Sequence, residues 1–175
     1  MKNLFLTIFL LVVTVSYSQI GVSLGYAASK GKVTTNGVTV TSDESSGSFG
    51  LGLFADLEVA SSLDFQPYIS YGIGEKVGDE SNTAIGLGGN LDLYPTGREN
   101  GLFLRGGIGV GISLMDIDTD LVKKSSTSGL IGLGIDVSDG MAIVLGYGFS
   151  LSDSSNISDI EIGASAIGAS LQFKF

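Results

Sequence analysis

Residues 102–114 read LFLRGGIGVGISL. Every second position from Leu102 to Leu114, apart from Gly106, carries a large aliphatic side chain, and most of the positions between carry Gly or Ser. An alternation with a period of two places successive side chains on opposite faces of a β-strand. The stretch therefore predicts a strand with one apolar face and one face of mostly small side chains.

The same alternation recurs along the chain, and segments rich in Gly, Ser, Asn and Asp interrupt it. The predicted strands span residues 19–28, 48–59, 65–75, 84–94, 102–114, 129–137, 141–151 and 162–175. The connections alternate between long ones, at 29–47, 76–83, 115–128 and 152–161, and short ones, at 60–64, 95–101 and 138–140. This order predicts eight antiparallel strands that run up and down.

The two faces of these strands differ in charge, and this difference decides the class of protein. The apolar face carries no charge, whereas the face of small residues holds Asp56, Glu58, Asp92, Arg105, Asp136 and Lys174. If the apolar face lay inside, its large side chains would overfill a narrow eight-stranded interior, and Gly and Ser would form a poor solubilising surface. With the apolar face outside, a closed barrel satisfies every backbone group in lipid. We therefore expect an all-β, eight-stranded antiparallel up-and-down transmembrane β-barrel over residues 19–175.

The first 18 residues have a different pattern. Lys2 precedes a run from Leu4 to Val15 that is apolar except for two Thr residues, and Ser16 and Ser18 follow as small residues. A run of 12 residues is too short to span a bilayer but suits the apolar region of a secretory signal. The pattern predicts a cleaved signal peptide over residues 1–18 and export of the remaining chain.

The composition excludes several chemistries. The chain has neither Cys nor His, which removes thiolate catalysis and the commonest general base and transition-metal ligand. Its net charge of −9 argues against nucleic acid as a partner. The acidic alternation at residues 116–120 lacks the Gly at position six and the acidic residue at position twelve of a Ca²⁺ loop, where Leu121 and Thr127 stand. We expect no metal and no cofactor.

Aromatic and charged residues occupy particular levels of the predicted barrel. On the outer face Tyr26, Phe49, Tyr71 and Phe149 lie toward the long loops, and Phe65, Phe173 and Phe175 lie toward the short turns. This distribution predicts two interfacial aromatic girdles. The six charges of the inner face all lie near the short turns. They predict a charge network that closes the periplasmic end of a water-filled lumen. Alternatively, the Gly residues of the inner face only relieve crowding in a small barrel, and no continuous pore exists.

The turns give two registers. Asn36-Gly37 has the signature of a two-residue type I′ turn, which pairs Thr35 with Val38 and, in the same register, Leu24 with Phe49. Residues 138–140, Ser-Asp-Gly, predict a three-residue turn that pairs Val137 with Met141 and places Gly140 in the left-handed region. Loop 29–47 is either a protruding hairpin that offers a strand to a surface partner or a mobile surface loop.

The residues 171–175, LQFKF, the strand 67–71, PYISY, and the signal peptide together resemble the small eight-stranded outer-membrane barrels of the OmpA-membrane-domain and OmpX type, and the porin-family outer membrane beta-barrel proteins of Bacteroidota. The resemblance implies a monomer in the lipid of a Gram-negative outer membrane, with Phe175 as part of the signal read by the barrel-assembly machinery. Lipid-modifying enzymes of this fold need a catalytic His, so the resemblance implies no enzyme here. Three readings stay open: a structural or surface-interaction barrel, a narrow porin-like channel for small solutes or ions, and a secreted soluble ligand-binding barrel.

Overall fold

The computed structural model describes residues 18–76, 82–115, 122–157 and 159–175. Their strands are β1 Ser18–Thr35, β2 Val38–Thr41, β3 Ser46–Ala60, β4 Leu63–Gly74, β5 Thr83–Leu93, β6 Leu102–Ser113, β7 Ser125–Ser138, β8 Met141–Ser150 and β9 Ile160–Lys174. One 3-10 turn, Arg98–Asn100, lies between β5 and β6. The predicted signal peptide lies outside the described residues, apart from Ser18 at the start of β1. No helix in the described part of the chain is long and apolar enough to cross a membrane.

The strands form one closed barrel. Neighbours from β3 to β9 pair antiparallel in chain order, and β1 closes the cylinder by pairing with both β3 and β9. β2 pairs only with residues Lys32–Thr35 at the end of β1. It therefore lies beside β1 where β3 would lie if it were longer, and it adds no ninth strand to the wall. The prediction of an eight-stranded antiparallel transmembrane barrel is confirmed.

The apolar face points outward. Leu51, Ile69, Ile108 and Leu145 are between 47 % and 66 % exposed, whereas Asp92 and Arg105 are 2 % and 5 % exposed. An exterior of this kind is stable against acyl chains and would aggregate in water. The side-chain arrangement therefore matches the barrel with an apolar exterior and a charged interior that the alternation predicts.

The lumen holds more than Gly and Ser. Phe54, Tyr68 and Phe103 also point inward, and each ring occupies the space over a glycine of a neighbouring strand: Gly21, Gly88 and Gly134 respectively. A Cβ atom at any of these glycines would overlap the ring. Large and small residues thus fill the narrow interior in complementary pairs, which the prediction of an inner face of mostly Gly and Ser with six charges did not include.

One predicted register is wrong beyond its turn. Asn36 and Gly37 have φ angles of 51° and 75°, and Thr35 pairs with Val38, as predicted. Leu24, however, pairs with Leu51 and not with Phe49. Residues 30 and 31 of β1 face four residues, 42–45, in the segment between β2 and β3, so the register shifts by two. Because two is an even number, every side chain keeps its face.

The turn at residues 138–140 also differs from the prediction. Ser138 pairs with Met141, and a bulge between Asp136 and Ser138 absorbs the extra residue. The turn therefore has two residues, and Gly140 is not among the described glycines with positive φ. The Gly140 carbonyl instead accepts a hydrogen bond of 2.9 Å from the backbone of Lys174, which ties the turn to β9.

The predicted loop 29–47 is mostly strand. β1 continues to Thr35 because β9 pairs with it as far as the Thr35–Ile160 step, well beyond the last pairing of β8 with β9 at Phe149–Ser165. Of the other long loops, residues 77–81, 116–121 and 158 lie outside the described residues.

Candidate functional site

A layer of polar side chains crosses the lumen. Arg105 on β6 donates to both carboxylate oxygens of Asp92 on β5, from Nε at 2.7 Å and from Nη2 at 2.6 Å. The same Nη2 donates to Oε1 of Gln172 on β9 at 3.2 Å. Gln172 and Gln66 on β4 then exchange amide hydrogen bonds of 3.1 and 3.4 Å. All four side chains are buried, so the layer joins opposite walls of the cylinder by satisfied hydrogen bonds.

A second layer lies nearer the short turns. Lys174 on β9 contacts Asp56 on β3 at 2.7 Å and Asp136 on β7 at 3.4 Å. The hydroxyl of Tyr94 donates to Asp136 at 2.9 Å. Burial, and next the charge of Asp136, raise the pKa of the Tyr94 phenol above its ordinary value. Tyr94 therefore remains a neutral donor throughout the physiological range.

Arg98 connects the β5–β6 turn to the β3–β4 turn at the short-turn end of the barrel. Its guanidinium holds Asp64 through two hydrogen bonds of 2.5 and 2.6 Å and also donates to the carbonyls of Ala60 and Ser61. The guanidinium also stacks over the Tyr94 ring, 4.8 Å from its centroid. The positive φ angles of Gly97 and Gly101 frame the short 3-10 turn that brings Arg98 back toward the β3–β4 turn. Two short turns are thereby joined across β4 and β5.

The predicted charge network is divided by the structure into two separate groups. Asp92 and Arg105 form a pair, and Lys174 with Asp56 and Asp136 forms a group of three. Glu58 belongs to neither: its side chain is 47 % exposed at the rim, and its ion-pair partner is Arg98 at 4.0 Å. The bulge near the end of β3, between Glu58 and Ala60, lies beside this residue.

Three participants were missing from the sequence prediction: Asp64, Tyr94 and Arg98. Asp64 and Arg98 fall in predicted short turns, where the parity rule does not apply. Tyr94 ends a predicted strand on the same face as Asp92, but it carries no charge and was not assigned to the network. The signal that could have found Asp64 is its register opposite Asp92, on the charged face. Nothing local indicates that Arg98 folds back onto it.

Two cavities flank the central polar layer. Above it a cavity of about 390 Å³ is lined mainly by small residues, among them Gly25, Gly50, Ser70, Gly72 and Gly148, with Arg105 also in its wall. These five residues agree with the predicted face of mostly Gly and Ser, whereas the larger Leu130 and Val144 also line the cavity. Below, a cavity of about 800 Å³ opens among the short turns.

At the long-loop end β9, β1 and β2 extend past the other strands as a three-stranded sheet. One edge is covered: the Asp153 carboxylate accepts hydrogen bonds of 2.8 Å from the amides of Ser155 and Ile162, and Ser154 donates to the Ile162 carbonyl. The other edge is β2, which pairs with no further strand of the described chain. The backbone hydrogen bonds to Ser155 and then Ile162 lower the pKa of Asp153 below the ordinary aspartate range.

The girdle aromatics lie on the outer face at both ends. Toward the long loops the rings of Tyr26 and Phe49 pack 5.0 Å apart, and Phe149 stacks on Tyr147. The exposed aromatic residues of the predicted girdles are Tyr26, Phe49, Phe65, Tyr71 and Phe175. Phe149 and Phe173 are partly covered. Phe175 is 81 % exposed and its amide donates to Ile20, at the level of the short turns.

Comparison with known proteins identifies the fold only. No family model matches the chain, and no curated protein sequence matches it. Among solved structures, neisserial surface protein A aligns with 88 % of this chain and 97 % of its own, at 12 % identity and a TM-score of 0.51. The outer membrane enzyme PagL aligns with 86 % of this chain and 99 % of its own, at 15 % identity and a TM-score of 0.52. The chain therefore has the fold of the small outer-membrane β-barrels.

Proposed function

We propose that this protein is a non-enzymatic barrel of a Gram-negative outer membrane that acts in surface interaction through its projecting sheet of β9, β1 and β2. The observation that carries the proposal is the edge of β2, Val38–Thr41, which has no strand partner among the residues that the structure describes. An exposed strand edge is a template for an added strand, which supplies main-chain hydrogen bonds to a partner. The exposed apolar face of this strand, Val38 and Val40, would add side-chain contacts.

The geometry identifies which groups are free. Thr35–Val38 and Val33–Val40 are in register, and Ser42 donates to the Gly31 carbonyl at 2.9 Å. In an antiparallel pair, hydrogen-bonded and non-hydrogen-bonded positions alternate. The N–H and C=O groups of Thr39 and Thr41 therefore point away from β1, toward the open edge.

Proline on that edge tests the proposal. Thr39→Pro removes an outward N–H without removing a bond to β1, whereas Thr39→Val keeps the N–H and the strand propensity. Cells that display each variant are compared in settling assays and in adhesion to plates coated with serum or matrix proteins. We expect adhesion above that of empty-vector cells for the parent and Thr39→Val, and loss with Thr39→Pro. Equal adhesion of the proline variant, or none by the parent, would contradict the proposal.

A second candidate is a narrow channel for small solutes or ions, favoured by the two cavities on either side of the Arg105 layer. Rings of charged side chains are common constrictions in pores. Single-channel recording and liposome swelling with Arg105→Ala test it. Conductance or swelling that increases in the variant would support a gated channel, and a blocked variant would exclude it.

Two further classes fit the residues less well. Acyl transfer that depends on a catalytic His is not available, because the chain has no His. A secreted soluble barrel would expose the outward apolar face to water. Heat-modifiable migration of the protein extracted from outer membranes tests both the barrel and its location.

A further inference from the structure

The chain contains two Asn-Gly steps, Asn36-Gly37 and Asn100-Gly101. An asparagine that precedes glycine is chemically labile, because the glycine amide nitrogen can attack the asparagine side chain and glycine has no Cβ atom to obstruct the approach. The attack requires that the amide, the side chain and the backbone between them can move. Whether each step reacts therefore depends on how the fold holds these groups.

The fold immobilises both reacting groups at Asn100-Gly101. The Gly101 amide donates a hydrogen bond of 2.9 Å to the Arg98 carbonyl. The side-chain amide of Asn100 donates one of 2.7 Å to the Thr96 carbonyl. Gly101 is buried, and its carbonyl accepts a hydrogen bond of 2.8 Å from the amide of Asp136. Attack at this step would first have to break these bonds.

The same groups are free at Asn36-Gly37, the tip of the projecting sheet between β1 and β2. Both residues are exposed, and an added Cβ atom at Gly37 would meet no atom within 4 Å. In a type I′ turn the closing bond joins Thr35 and Val38, which leaves the Gly37 amide without an acceptor. Among the described residues, neither this amide nor the Asn36 side chain has a hydrogen-bond partner. Local opening of the turn is then enough to bring the two groups together.

We propose that Asn36 is a site of spontaneous deamidation and that the fold protects Asn100 from the same reaction. The Gly37 amide gives its proton to a base in the solvent, and its nitrogen forms a bond to the side-chain carbon Cγ of Asn36. The Cγ–Nδ2 bond breaks, and the leaving nitrogen takes up a proton and departs as ammonia. Water then opens the five-membered succinimide ring at one of its two carbonyl carbons, which gives aspartate or isoaspartate.

The products change the tip of the sheet in two ways. Both add a negative charge to a cavity that the Asn36-Gly37 turn shares with three carboxylates, those of Asp153, Asp159 and Glu161. Isoaspartate also carries the main chain through the side-chain carbon, which lengthens the turn by one backbone atom. The Thr35–Val38 pair would then open, and β2 would lose its order. Loss of adhesion as the protein ages would follow, a consequence that rests on the proposed function.

Incubation of the folded barrel in uncharged detergent and mildly alkaline buffer, followed by peptide mass spectrometry, tests the proposal. Each conversion raises the mass by about 1 Da, and electron-transfer fragmentation separates isoaspartate from aspartate. We expect Asn36 to convert roughly tenfold faster than Asn100, or more. The same chain unfolded in guanidinium chloride is the control, because both steps should then convert at similar rates. Asn36→Gly, which suits the turn, should remove the reaction at the tip.

Amide exchange at Val38 and Val40 measures the consequence without reference to adhesion. Protection should fall in the protein that contains isoaspartate and stay constant in Asn36→Gly after the same incubation. Equal rates at the two steps in the folded barrel, no conversion of Asn36, or a ratio of rates that persists in guanidinium chloride would overturn the proposal. The last result would assign the difference to the flanking sequence. Conversion and lost protection with unchanged adhesion would confirm the modification and contradict the proposed function of the β2 edge.

Discussion

Phe103 on β6 lies directly over Gly134 on β7, its partner in register, and its ring fills the volume that a side chain at position 134 would need. The outer wall uses the same arrangement. Tyr26 lies over Gly47, Phe65 over Gly89 and Phe149 over Gly129. Many glycines of this barrel are therefore half of a cross-strand aromatic pair, which compensates for the weak strand propensity of Gly.

Substitution of Gly134 tests this pairing. A Cβ atom there overlaps the Phe103 ring, so we expect Gly134→Ala to lower the free energy of unfolding by about 1–3 kcal/mol through overpacking. The measurement is urea unfolding in lipid vesicles, with the folded fraction read from heat-modifiable migration. Phe103→Leu in the same chain should restore part of the loss.

Gly106 provides the matched control. It lies in β6 and has no atom within 4 Å of an added Cβ, so Gly106→Ala should be neutral or slightly stabilising. A loss at Gly106 as large as that at Gly134 would show that backbone effects and not ring contact dominate.

The buried pair of Arg105 and Asp92 predicts a strong dependence on both partners. Arg105→Met leaves the Asp92 carboxylate buried without its cation, and we expect a loss of about 3–5 kcal/mol in the free energy of unfolding. The double variant Arg105→Met with Asp92→Leu should lose much less, because neither charge remains.

The exposed pair of Lys123 and Asp153 serves as the comparison, at 3.6 Å. Lys123→Met should change the free energy of unfolding by about 1 kcal/mol or less. If the double variant in the lumen is no more stable than Arg105→Met alone, the cost arises from packing and not from an uncompensated charge.

The Arg98 clamp predicts a difference between Arg and Lys. Arg98→Ala leaves the nearly fully buried Asp64 without its two hydrogen bonds, and we expect a loss of about 1–3 kcal/mol. Arg98→Lys should recover only part of this stability, since an ammonium group cannot bind both carboxylate oxygens in the same planar geometry. Glu99→Gln in the same turn should be nearly neutral. Full recovery with Lys would reduce the clamp to simple charge attraction.

The hydrogen bonds from Ser155 and Ile162 to the Asp153 carboxylate predict that the covered edge of the projecting sheet opens in acid. Backbone hydrogen bonds from Ser155 and then Ile162 lower the pKa of Asp153, so the folded state favours the carboxylate form. The stabilisation is therefore complete above the ordinary aspartate pKa and disappears as the pH falls through the lowered pKa. Carboxyl NMR shifts should give a depressed titration midpoint, and amide protection at Ile162 should fall over the same range.

Asp153→Asn checks the assignment. The amide oxygen still accepts a hydrogen bond but does not titrate, so protection at Ile162 should become independent of pH in this range. An ordinary midpoint for Asp153, or unchanged pH dependence in the variant, would contradict the prediction.

Much of the wall could be predicted because its cause is local. Side chains alternate with a period of two along any strand, so the outward direction of Leu51, Ile108 and Leu145 follows from their position in the strand without knowledge of their neighbours. The same rule located Asp92 and Arg105 inside. The register from Leu24 to Phe49 failed because it depends on how many residues fit between β2 and β3, and no local pattern states that number.

The sequence alone determined the number of wall strands, the direction of each face and the charged level near the short turns, since these follow from alternation and turn chemistry. Only the tertiary structure decided that Arg98 reaches Asp64, that Phe103 fills the space over Gly134, that Glu58 lies at the rim and that β1 continues into a projecting sheet. These relationships join residues distant in the chain, and they depend on register and barrel closure, which no single strand specifies.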